Sequence, residues 1–300
     1  MTAAGFQSDP IAWYQHQVDA TLPGLLDELL ADVPSELAEP IRYAVLAPGK
    51  RIRPLLLMAA FKATGGEAEN ATRMACSVEL VHAYSLVHDD LPCMDDDVLR
   101  RGRPTLHVVY GVPAAVLAGA AMMPLAVQAV GLASGPLGLS AEQSDHLVAR
   151  LTAAAGGQGM VGGQLLDLRA EGRAVSPDEL EQIHEGKTAR LIAASAAMGA
   201  VAAGGSRKHV DRLERFGMRL GLAFQAIDDI LDLRGTTDEL GKVSGRDSVL
   251  QKATYPGVHG LPEAERLSRE LVRAAEVELD GLPQPHDLRL IADWILARRH

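Results

Sequence analysis

Apolar residues along this chain recur at the spacing of helix faces buried in a core, and no run alternates as a β-strand would. The clearest helical patterns cover residues 70–91, 141–170, 177–203 and 207–233. No low-complexity linker or fixed-period repeat separates them. The pattern predicts an all-α fold, and we interpret residues 1–300 as a single domain.

Capping residues and glycines mark several helix boundaries. Residues 140–143 and 176–179 have the Ser-x-x-Gln and Ser-x-x-Glu spacing of capping boxes at helix starts. Glycine pairs at 65–66 and 204–205 follow apolar runs, where helices typically end. These signals bound the predicted helices on both sides.

Two stretches, 104–141 and 191–206, contain no charged residue. Both consist largely of small residues, and Pro113, Pro124 and Pro136 interrupt the first. A membrane-spanning helix needs about 20 predominantly apolar residues and is usually richer in Leu, Ile and Phe. The middle of a large bundle also requires helices that are apolar all round. We therefore expect buried core helices and no membrane span.

The formal charge of −10 argues against a nucleic-acid surface, which would be basic. Anionic small substrates remain compatible, because local cations and a bound metal can reverse the field inside a cleft. Residues 1–17 lack a basic start and an apolar core, so we expect no signal peptide. With only Cys76 and Cys93 in the chain, we expect reduced thiols and a cytoplasmic protein.

Two acidic clusters, at 89–97 and 228–232, are the strongest chemical signal. Each is embedded in an apolar helical pattern, whereas most charge runs are solvated faces. Carboxylates crowded in apolar surroundings raise one another's pKa values, and hard divalent cations relieve that repulsion. Mg²⁺ is the expected ion, since it binds a few carboxylates and completes its octahedron with water and substrate phosphate oxygens.

The spacing within each cluster indicates how its carboxylates meet. Asp228 and Asp232 are four residues apart and share one face of a helix. Asp89 and Asp95 are six residues apart and would not share a face, but Pro92 between them cannot continue the helix. The chain beyond Pro92 can therefore turn Asp95 back toward Asp89.

Basic residues complement these clusters. Residues 49–54 read Gly-Lys-Arg-Ile-Arg-Pro, which places three cations beside a predicted helix start, where backbone N–H groups also favour anions. Further cations follow at Arg100, Arg101, Lys187 and Lys242. A lone cation is usually solvated, but this set suits two diphosphates, because guanidinium groups match phosphate oxygens.

The chain resembles the trans-prenyl diphosphate synthases, and most of all the bacterial farnesyl diphosphate synthases. The resemblance covers residues 41–256 and is specific, because many motifs occur in order at family spacing. The motifs are GKRIRP (49–54), ELVHAYSLVHDDLPCMDDDVLRRGRPT (79–105), GMVGGQLLDL (159–168), GKTARLI (186–192), FQAIDDILD (224–232) and LGKVSGRD (240–247). The family implies an all-α, isoprenoid-synthase-type helical bundle with a central active-site cavity.

The resemblance also implies a role for individual residues. Isopentenyl diphosphate would be bound by Lys50, Arg53, His82 and Arg101. Mg²⁺ would be bound by Asp89, Asp90 and Asp95 from one wall and by Asp228, Asp229 and Asp232 from the other. The allylic diphosphate would be held by Arg100, Lys187 and Lys242. The residues near the developing carbocation would be Thr188 and Gln225.

The implied enzyme joins isopentenyl diphosphate to dimethylallyl or geranyl diphosphate by ionisation, condensation and elimination, and makes farnesyl diphosphate. Mg²⁺ would be the cofactor, with Mn²⁺ as a substitute, and members of the family are usually homodimers. Two other classes stay open. A class I terpene cyclase would line its pocket with aromatic residues, which are few here. A non-catalytic synthase subunit commonly lacks one aspartate-rich motif, and both are intact.

Three positions depart from the residues frequent in the family: Pro48 stands for a glycine, Ala120 for an aspartate and Gln251 for a glycine. Pro48 precedes the loop that would bind isopentenyl diphosphate, so it could alter the rate. None of the three replaces a proposed ligand, and the expected reaction class is unchanged.

Product length is predicted from Tyr84, five residues before Asp89 and so about 7.5 Å away along a helix. An aromatic ring there, with Ser85 beside it, would close the floor of the tunnel in which the product tail grows. Members of the family that make the C20 product usually lack an aromatic residue at this position. We therefore expect a C15 product, with C20 and C10 products as the alternatives.

Replacing Tyr84 with alanine should lengthen the product, because the growing tail would lose its floor. Chromatography of the extracted products measures this directly. The other role for Tyr84 is simple core packing. An active Tyr84→Ala enzyme that still makes only the C15 product would contradict the predicted floor.

Overall fold

A computed structural model describes residues 9–234 and 251–297 and confirms the all-α prediction. Its helices are α1 (Pro10–Leu29), α2 (Ser35–Val45), α3 (Ile52–Ala63), α4 (Thr72–Asp89), α5 (Leu106–Tyr110), α6 (Val112–Ser134), α7 (Ala141–Ala155), α8 (Met160–Ala170), α9 (Pro177–His184), α10 (Arg190–Ala202), α11 (Arg207–Arg234), α12 (Tyr255–His259), α13 (Leu261–Glu278) and α14 (His286–Leu296). A 3₁₀ turn covers Ala68–Ala71, and a π-helical turn, Glu185–Ala189, joins α9 to α10.

Strand structure within the described ranges is limited to one short hairpin, in which β1 (Leu99–Arg100) pairs antiparallel with β2 (Arg103–Pro104). Its two central residues, Arg101 and Gly102, have φ of 53° and 73°. Positive φ at both positions matches the turns preferred in two-residue hairpins. Strands this short leave no alternating pattern, so the sequence did not predict them.

Helices α3 and α10 form the centre of the bundle and are buried on nearly every side. Apart from Arg53 and Lys62 in α3 and Arg190 in α10, both consist of apolar or small residues, as expected for helices surrounded by others. Small residues let them pack closely, since a Cβ added at Gly199 of α10 would lie 2.1 Å from the Leu57 carbonyl oxygen of α3. The main cluster of buried apolar side chains runs from Tyr14 to Ile295 and so includes both ends of the described chain.

The two uncharged stretches behave differently. The stretch at 191–206 is confirmed as core, because it forms most of α10. Helix α6, from the other stretch, is long and apolar enough to cross a membrane, but 44% of its most apolar window is buried inside the protein. One face packs on α2 and α4, while Val116 and Leu117 are 41% and 61% exposed. The expectation of a buried core helix is therefore wrong for one face of α6.

Two predicted helices are interrupted. The segment 141–170 divides into α7 and α8 at residues 156–159, and three of these four residues are glycines. Glycine loses more conformational entropy in a helix than other residues do, so a helix is least favoured there. The backbone is also tight there, since a Cβ at Gly159 would lie 2.0 Å from the Ala154 carbonyl oxygen. The segment 177–203 widens into the π-helical turn before α10 begins.

The predicted helix ends are otherwise confirmed. The capping box at 140–143 is complete, whereas the second is half formed, because the Glu179 carboxylate pairs with Arg173. Gly65 and Gly204 adopt φ of 108° and 71° just after α3 and α10. Glycine is the usual residue for this left-handed conformation at a helix end.

Substituting Gly199 with alanine should destabilise the protein by about 1–3 kcal/mol, because the added methyl group overpacks a filled core. Gly24 of α1 is the matched control, since a Cβ there meets no atom within 4 Å. Gly24→Ala should stabilise the helix by about 0.5–1 kcal/mol. Urea unfolding followed by circular dichroism measures both, and equal effects would contradict the packing argument.

Candidate active site

A cavity of about 500 Å³ lies between α4 and α11, and a smaller one of about 160 Å³ adjoins it. The residues lining both are Asp89, Arg100, Lys187, Gln225 and Asp228. Residues from the start of α3 and Arg101 of the hairpin line only the larger cavity, while Asp95 and Asp167 line only the smaller one. The arrangement agrees with the expected central cavity between two acidic helices.

The first acidic cluster folds as its spacing predicted. Helix α4 ends at Asp89, ahead of Pro92. The loop then turns back, so that the Asp95 N–H donates to the Asp89 carbonyl oxygen at 2.8 Å. Both carboxylates consequently line the smaller cavity. Burial raises the pKa of Asp89, Lys187 opposes that shift, and Asp95 adds to it.

Asp90 has a different environment from Asp89. Its carboxylate is buried, lies outside the lining of these two cavities, and accepts hydrogen bonds from Arg100 at 2.9 and 2.5 Å. Arg100 also donates to Asp97 at 3.1 Å. Burial raises the pKa of Asp90 to about 6, although Arg100 opposes the shift. Asp90 therefore holds Arg100 at the cavity wall, and its role as a metal ligand stays a prediction.

The second acidic cluster lies on α11, where Asp228 lines both cavities and Asp229 lines the smaller one. Asp229 is buried and tied to its neighbours, since its carboxylate accepts from Gln225 Nε2 at 2.8 Å and from the Tyr255 N–H at 2.9 Å. Asp232, one turn beyond Asp228, is also buried and lies outside the cavity lining. Metal binding by Asp229 and Asp232 stays a prediction.

Lys187 reaches the cavity from the π-helical turn, a distortion that is frequent at functional sites. Gly163 of α8 permits the close approach, because a Cβ there would lie 2.0 Å from the Lys187 backbone nitrogen. The Lys187 ammonium donates to Asp167 at 2.5 Å. Burial favours the neutral amine, but Asp167 and Asp89 raise the pKa of Lys187, and it stays charged.

Two charged residues of the smaller cavity were missed in the sequence. Asp167 is buried, and Lys252 Nζ lies 3.6 Å from it and 2.7 Å from the Asp95 carboxylate. An acid inside the apolar pattern of α8 is a signal that could have found Asp167, since a buried charge needs a partner. Lys252 lies outside any helix, so periodicity held no signal for it.

The residues expected to bind isopentenyl diphosphate come together. Lys50, Arg53, His82 and Arg101 all line the larger cavity. His82 Nε2 lies 3.2 Å from an Arg101 guanidinium nitrogen. Burial lowers the pKa of Arg53 to about 10 and depresses the pKa of His82, so the arginine is charged and the imidazole neutral at pH 7.

Arg51, the remaining cation of the basic segment, is engaged within the protein. Its guanidinium donates to Glu79 at 2.6 Å, to Asp19 at 2.9 Å and to the Ala47 carbonyl at 2.9 Å. The Arg51 side chain is only 2% exposed. Three of the five N–H donors of its guanidinium are used in these bonds. Arg51, which also lines the larger cavity, is therefore held mainly by contacts within the protein.

Thr188 and Gln225 also meet in the cavity. Thr188 Oγ1 donates to Gln225 Oε1 at 2.7 Å, and Gln225 Nε2 donates to Asp229 at 2.8 Å. Asp229 thus orients the amide so that its oxygen faces Thr188. Because the Thr188 hydroxyl uses its proton in that bond, its oxygen lone pairs remain for an electron-poor group in the cavity.

The sequence analysis did not predict a role for two further polar residues at the cavities. Gln164 is buried at the wall of the larger cavity, and neither side-chain polar atom has a partner within the described ranges. A buried, unpaired amide is unusual and fits contact with a bound ligand. His184 lines the smaller cavity and stacks on Tyr255, and burial lowers its pKa to about 4, so it is neutral.

The remaining predicted positions have separate outcomes. Ser85 lines the larger cavity, whereas Tyr84 lies outside the lining and meets His88 edge-on, with ring centroids 4.8 Å apart. The chain-length role of both stays a prediction. Lys242 lies outside the described residues, and so does the basic C-terminus at 298–300.

The departures from the family pattern are also located. Pro48 lines the larger cavity, and Ala120 lies on the exposed side of α6. Gln251 has φ of 51°, a left-handed conformation that glycine adopts with least strain. This explains the glycine frequent there in the family, and here Gln251 leads directly into Lys252.

The donor set fits Mg²⁺. Asp89 and Asp95 from one wall and Asp228 from the other line the same small cavity, and their carboxylate oxygens are hard donors. Among the residues that the structure describes, no three His, Cys, Asp or Glu side chains are already close enough to hold a metal. Mg²⁺ does not need such a cage, because it keeps water and takes substrate phosphate oxygens.

The polyprenyl synthetase family model matches residues 34–280, the segment that contains both acidic clusters. The chain therefore belongs to the polyprenyl synthetase family, and it is a prenyltransferase of the trans-isoprenyl diphosphate synthase type.

Known relatives support this assignment. A chloroplastic geranylgeranyl pyrophosphate synthase of Capsicum annuum is 43% identical over 277 residues, covering 91% of this chain and 74% of that protein. A Helicobacter pylori geranyltransferase, solved with magnesium and isoprenyl diphosphate, is 32% identical with a TM-score of 0.80 and 96% coverage of both chains. An FPP/GFPP synthase of Zymomonas mobilis is 32% identical with a TM-score of 0.84, covering 98% of this chain and 100% of that one.

Asp167→Asn should lower kcat and raise KM for the allylic diphosphate, each roughly tenfold, because Lys187 and Lys252 lose their shared carboxylate. Steady-state kinetics at saturating isopentenyl diphosphate measure both constants. Glu179→Gln is the control, since it removes a carboxylate from a surface pair with Arg173. Kinetics of Asp167→Asn equal to those of the unaltered enzyme would contradict the positioning of Lys187 by Asp167.

Proposed function

We propose that this prenyltransferase condenses isopentenyl diphosphate with dimethylallyl and geranyl diphosphate to make farnesyl diphosphate. The observation that carries the proposal is the division of the site into two joined cavities. The smaller one contains Asp95 and Asp167 with the shared acids, which suits a diphosphate bound through metal. The larger one contains Lys50, Arg53 and Arg101, which suit a diphosphate bound without metal.

The first step is ionisation of the allylic substrate. Its C–O bond breaks, and the electron pair leaves with the pyrophosphate. Lys187 and Arg100, each held in place by a carboxylate, stabilise the charge that develops on the leaving group. Mg²⁺ bound by Asp89, Asp95 and Asp228 would add Lewis-acid stabilisation of the same charge.

Condensation and elimination follow. The isopentenyl double bond supplies the electron pair for the new C–C bond, and the Thr188 oxygen faces the allylic cation during that step. The product cation then loses a proton, for which the released pyrophosphate is the base. Side-chain nucleophiles are not required, and His82 stays neutral beside the diphosphate.

The proposed C15 product rests on the aromatic ring of Tyr84 on α4, toward which a tail anchored at Asp89 would grow. The alternative is a C20 product. It is favoured by the relationship to the geranylgeranyl pyrophosphate synthase of Capsicum annuum. The Zymomonas mobilis relative is named an FPP/GFPP synthase, a name that covers the C15 product and a longer one, so it does not decide between the two lengths.

We also propose a homodimer whose interface is the exposed apolar face of α5 and α6. Val108 and Val109 of α5 are 52% and 47% exposed, and Val116 and Leu117 of α6 are 41% and 61% exposed. Neighbouring exposed apolar side chains of this kind typically mark a protein interface. A second copy of the chain would cover the patch with the identical patch across a two-fold axis.

Product analysis tests the proposed reaction. Purified protein is incubated with Mg²⁺, labelled isopentenyl diphosphate and one primer at a time: dimethylallyl, geranyl or farnesyl diphosphate. We expect a C15 product from the first two primers, because Tyr84 would stop further growth. A C20 product would keep the reaction class and overturn the chain length. Absence of condensation with every primer would favour the non-catalytic subunit.

A metal control accompanies that assay. Chelation with EDTA should stop the condensation, because the acidic walls would repel the substrate diphosphate. Added Mg²⁺ should restore the reaction, and Mn²⁺ should substitute for it. Condensation that continues at full rate in excess EDTA would contradict the role given to the carboxylates.

A further inference from the structure

A buried carboxylate, Glu79 on α4, lies behind the cationic wall of the larger cavity without lining it. Its side chain is 1% exposed, and it accepts from Arg51 Nη1 at 2.6 Å. Its other oxygen has no hydrogen-bond partner within the described ranges. A half-satisfied buried carboxylate lowers the stability of the fold, so its presence at this point calls for a role.

Arg51 connects Glu79 to the loop before α3. It is the residue that precedes the helix, with φ of 52° and ψ of 31°, a left-handed conformation that is uncommon for a non-glycine residue. The three hydrogen bonds of its guanidinium, to Glu79, Asp19 and Ala47, hold this strained turn in place. Lys50 and Arg53 lie on either side of this turn. Its conformation therefore sets the direction in which their side chains enter the cavity.

Glu79 also acts on the cations beyond Arg51. Among the neighbouring charges, it has the largest effect on the pKa of both Arg53 and Arg101, and it raises each against the lowering caused by burial. Arg101 lowers the pKa of Arg53, as a nearby like charge does. His82, one turn along α4 from Glu79, contacts Arg101 at 3.2 Å.

We infer that Glu79 is a positioning residue for isopentenyl diphosphate: it holds Arg51, and through the turn at Arg51 it sets the place of Lys50 and Arg53 in the wall that receives the metal-free diphosphate. The inference rests on the proposed function, because it assigns that diphosphate to the larger cavity. Without Glu79, the turn at Arg51 would lose its shortest hydrogen bond, and burial would oppose the charge on Arg53 and Arg101 with less compensation.

Positioning and simple charge predict opposite signs. If Glu79 acted only as a negative charge behind the site, its removal would make the cavity more positive and would tighten diphosphate binding. If Glu79 holds the guanidinium groups in place, its removal loosens them and weakens binding. The sign of the change therefore separates the two roles.

The experiment compares Glu79→Gln, Glu79→Asp and the unaltered protein. Glu79→Gln should weaken isopentenyl diphosphate binding roughly tenfold or more, as expected from the loss of a charge-assisted hydrogen bond, and should change KM for the allylic primer much less. Glu79→Asp should recover part of the affinity. Calorimetric titration of isopentenyl diphosphate into primer-free protein gives the affinity, and steady-state kinetics give both KM values.

Glu278→Gln is the matched control, because Glu278 likewise holds two arginines, Arg215 and Arg219, and neither lines a cavity described above. It should reduce thermal stability without changing either KM. If Glu79→Gln does not fold, the double variant Arg51→Met with Glu79→Leu removes the buried pair together. That variant should fold, and its affinity for isopentenyl diphosphate should be lower than that of the unaltered protein.

The outcomes are separable. Tighter or unchanged isopentenyl diphosphate binding in Glu79→Gln, or normal binding in the double variant, would overturn the inference while leaving the proposed function intact. Failure of the unaltered protein to bind isopentenyl diphosphate at all would instead overturn the proposed function, since the titration does not depend on turnover.

Discussion

The balance of opposite charges inside a poorly solvated cavity is the constraint on which this structure depends. Carboxylates on α4, α8 and α11 converge on one small volume, where burial alone would favour their neutral forms. Lys187 and Lys252 offset part of that negative charge through Asp167 and Asp95. The site is thus held in a charged state that Mg²⁺ and a diphosphate would complete. At the larger cavity the signs are reversed, because the buried carboxylate of Glu79 offsets the positive charge of Arg51, Arg53 and Arg101.

Backbone features bring these charges to their positions. The glycine at 163 lets α8 touch the π-helical turn, so that Asp167 and Lys187 meet. A hairpin of two-residue strands carries Arg100 to Asp90 and Arg101 to His82. Within the described ranges, the residues other than glycine with positive φ are Arg51, Asp96, Arg101 and Gln251. Two of these are arginines of the cationic wall, Asp96 lies in the first acidic cluster, and Gln251 precedes Lys252. Strain is concentrated at the site because the surrounding charge pairs hold it there.

The sequence predicted the elements with strong periodic or capping signals. The turn at Pro92 brought Asp95 back to Asp89 as its spacing indicated, because proline cannot continue a helix. The break between α7 and α8 was missed, since apolar periodicity continues on both sides of the glycines. The buried ion pair of Arg51 was also missed: a basic segment near a helix start has the same appearance whether its cations meet a ligand or an internal carboxylate.

By itself, the sequence determined the helical class, the family and the residue types of the two acidic clusters and the cationic wall, because these follow from local spacing and from ordered motifs. Only the tertiary structure decided how each charge is used. It separated Asp89, Asp95, Asp228 and Asp229, which line the cavities, from Asp90, which holds Arg100 from behind the wall. It also brought Asp167 and Lys252 into the site from segments distant in sequence, and it placed Glu79 behind the cationic wall. The physical reason is that the partner of a buried charge is set by packing between helices, and no local pattern in the chain records that contact.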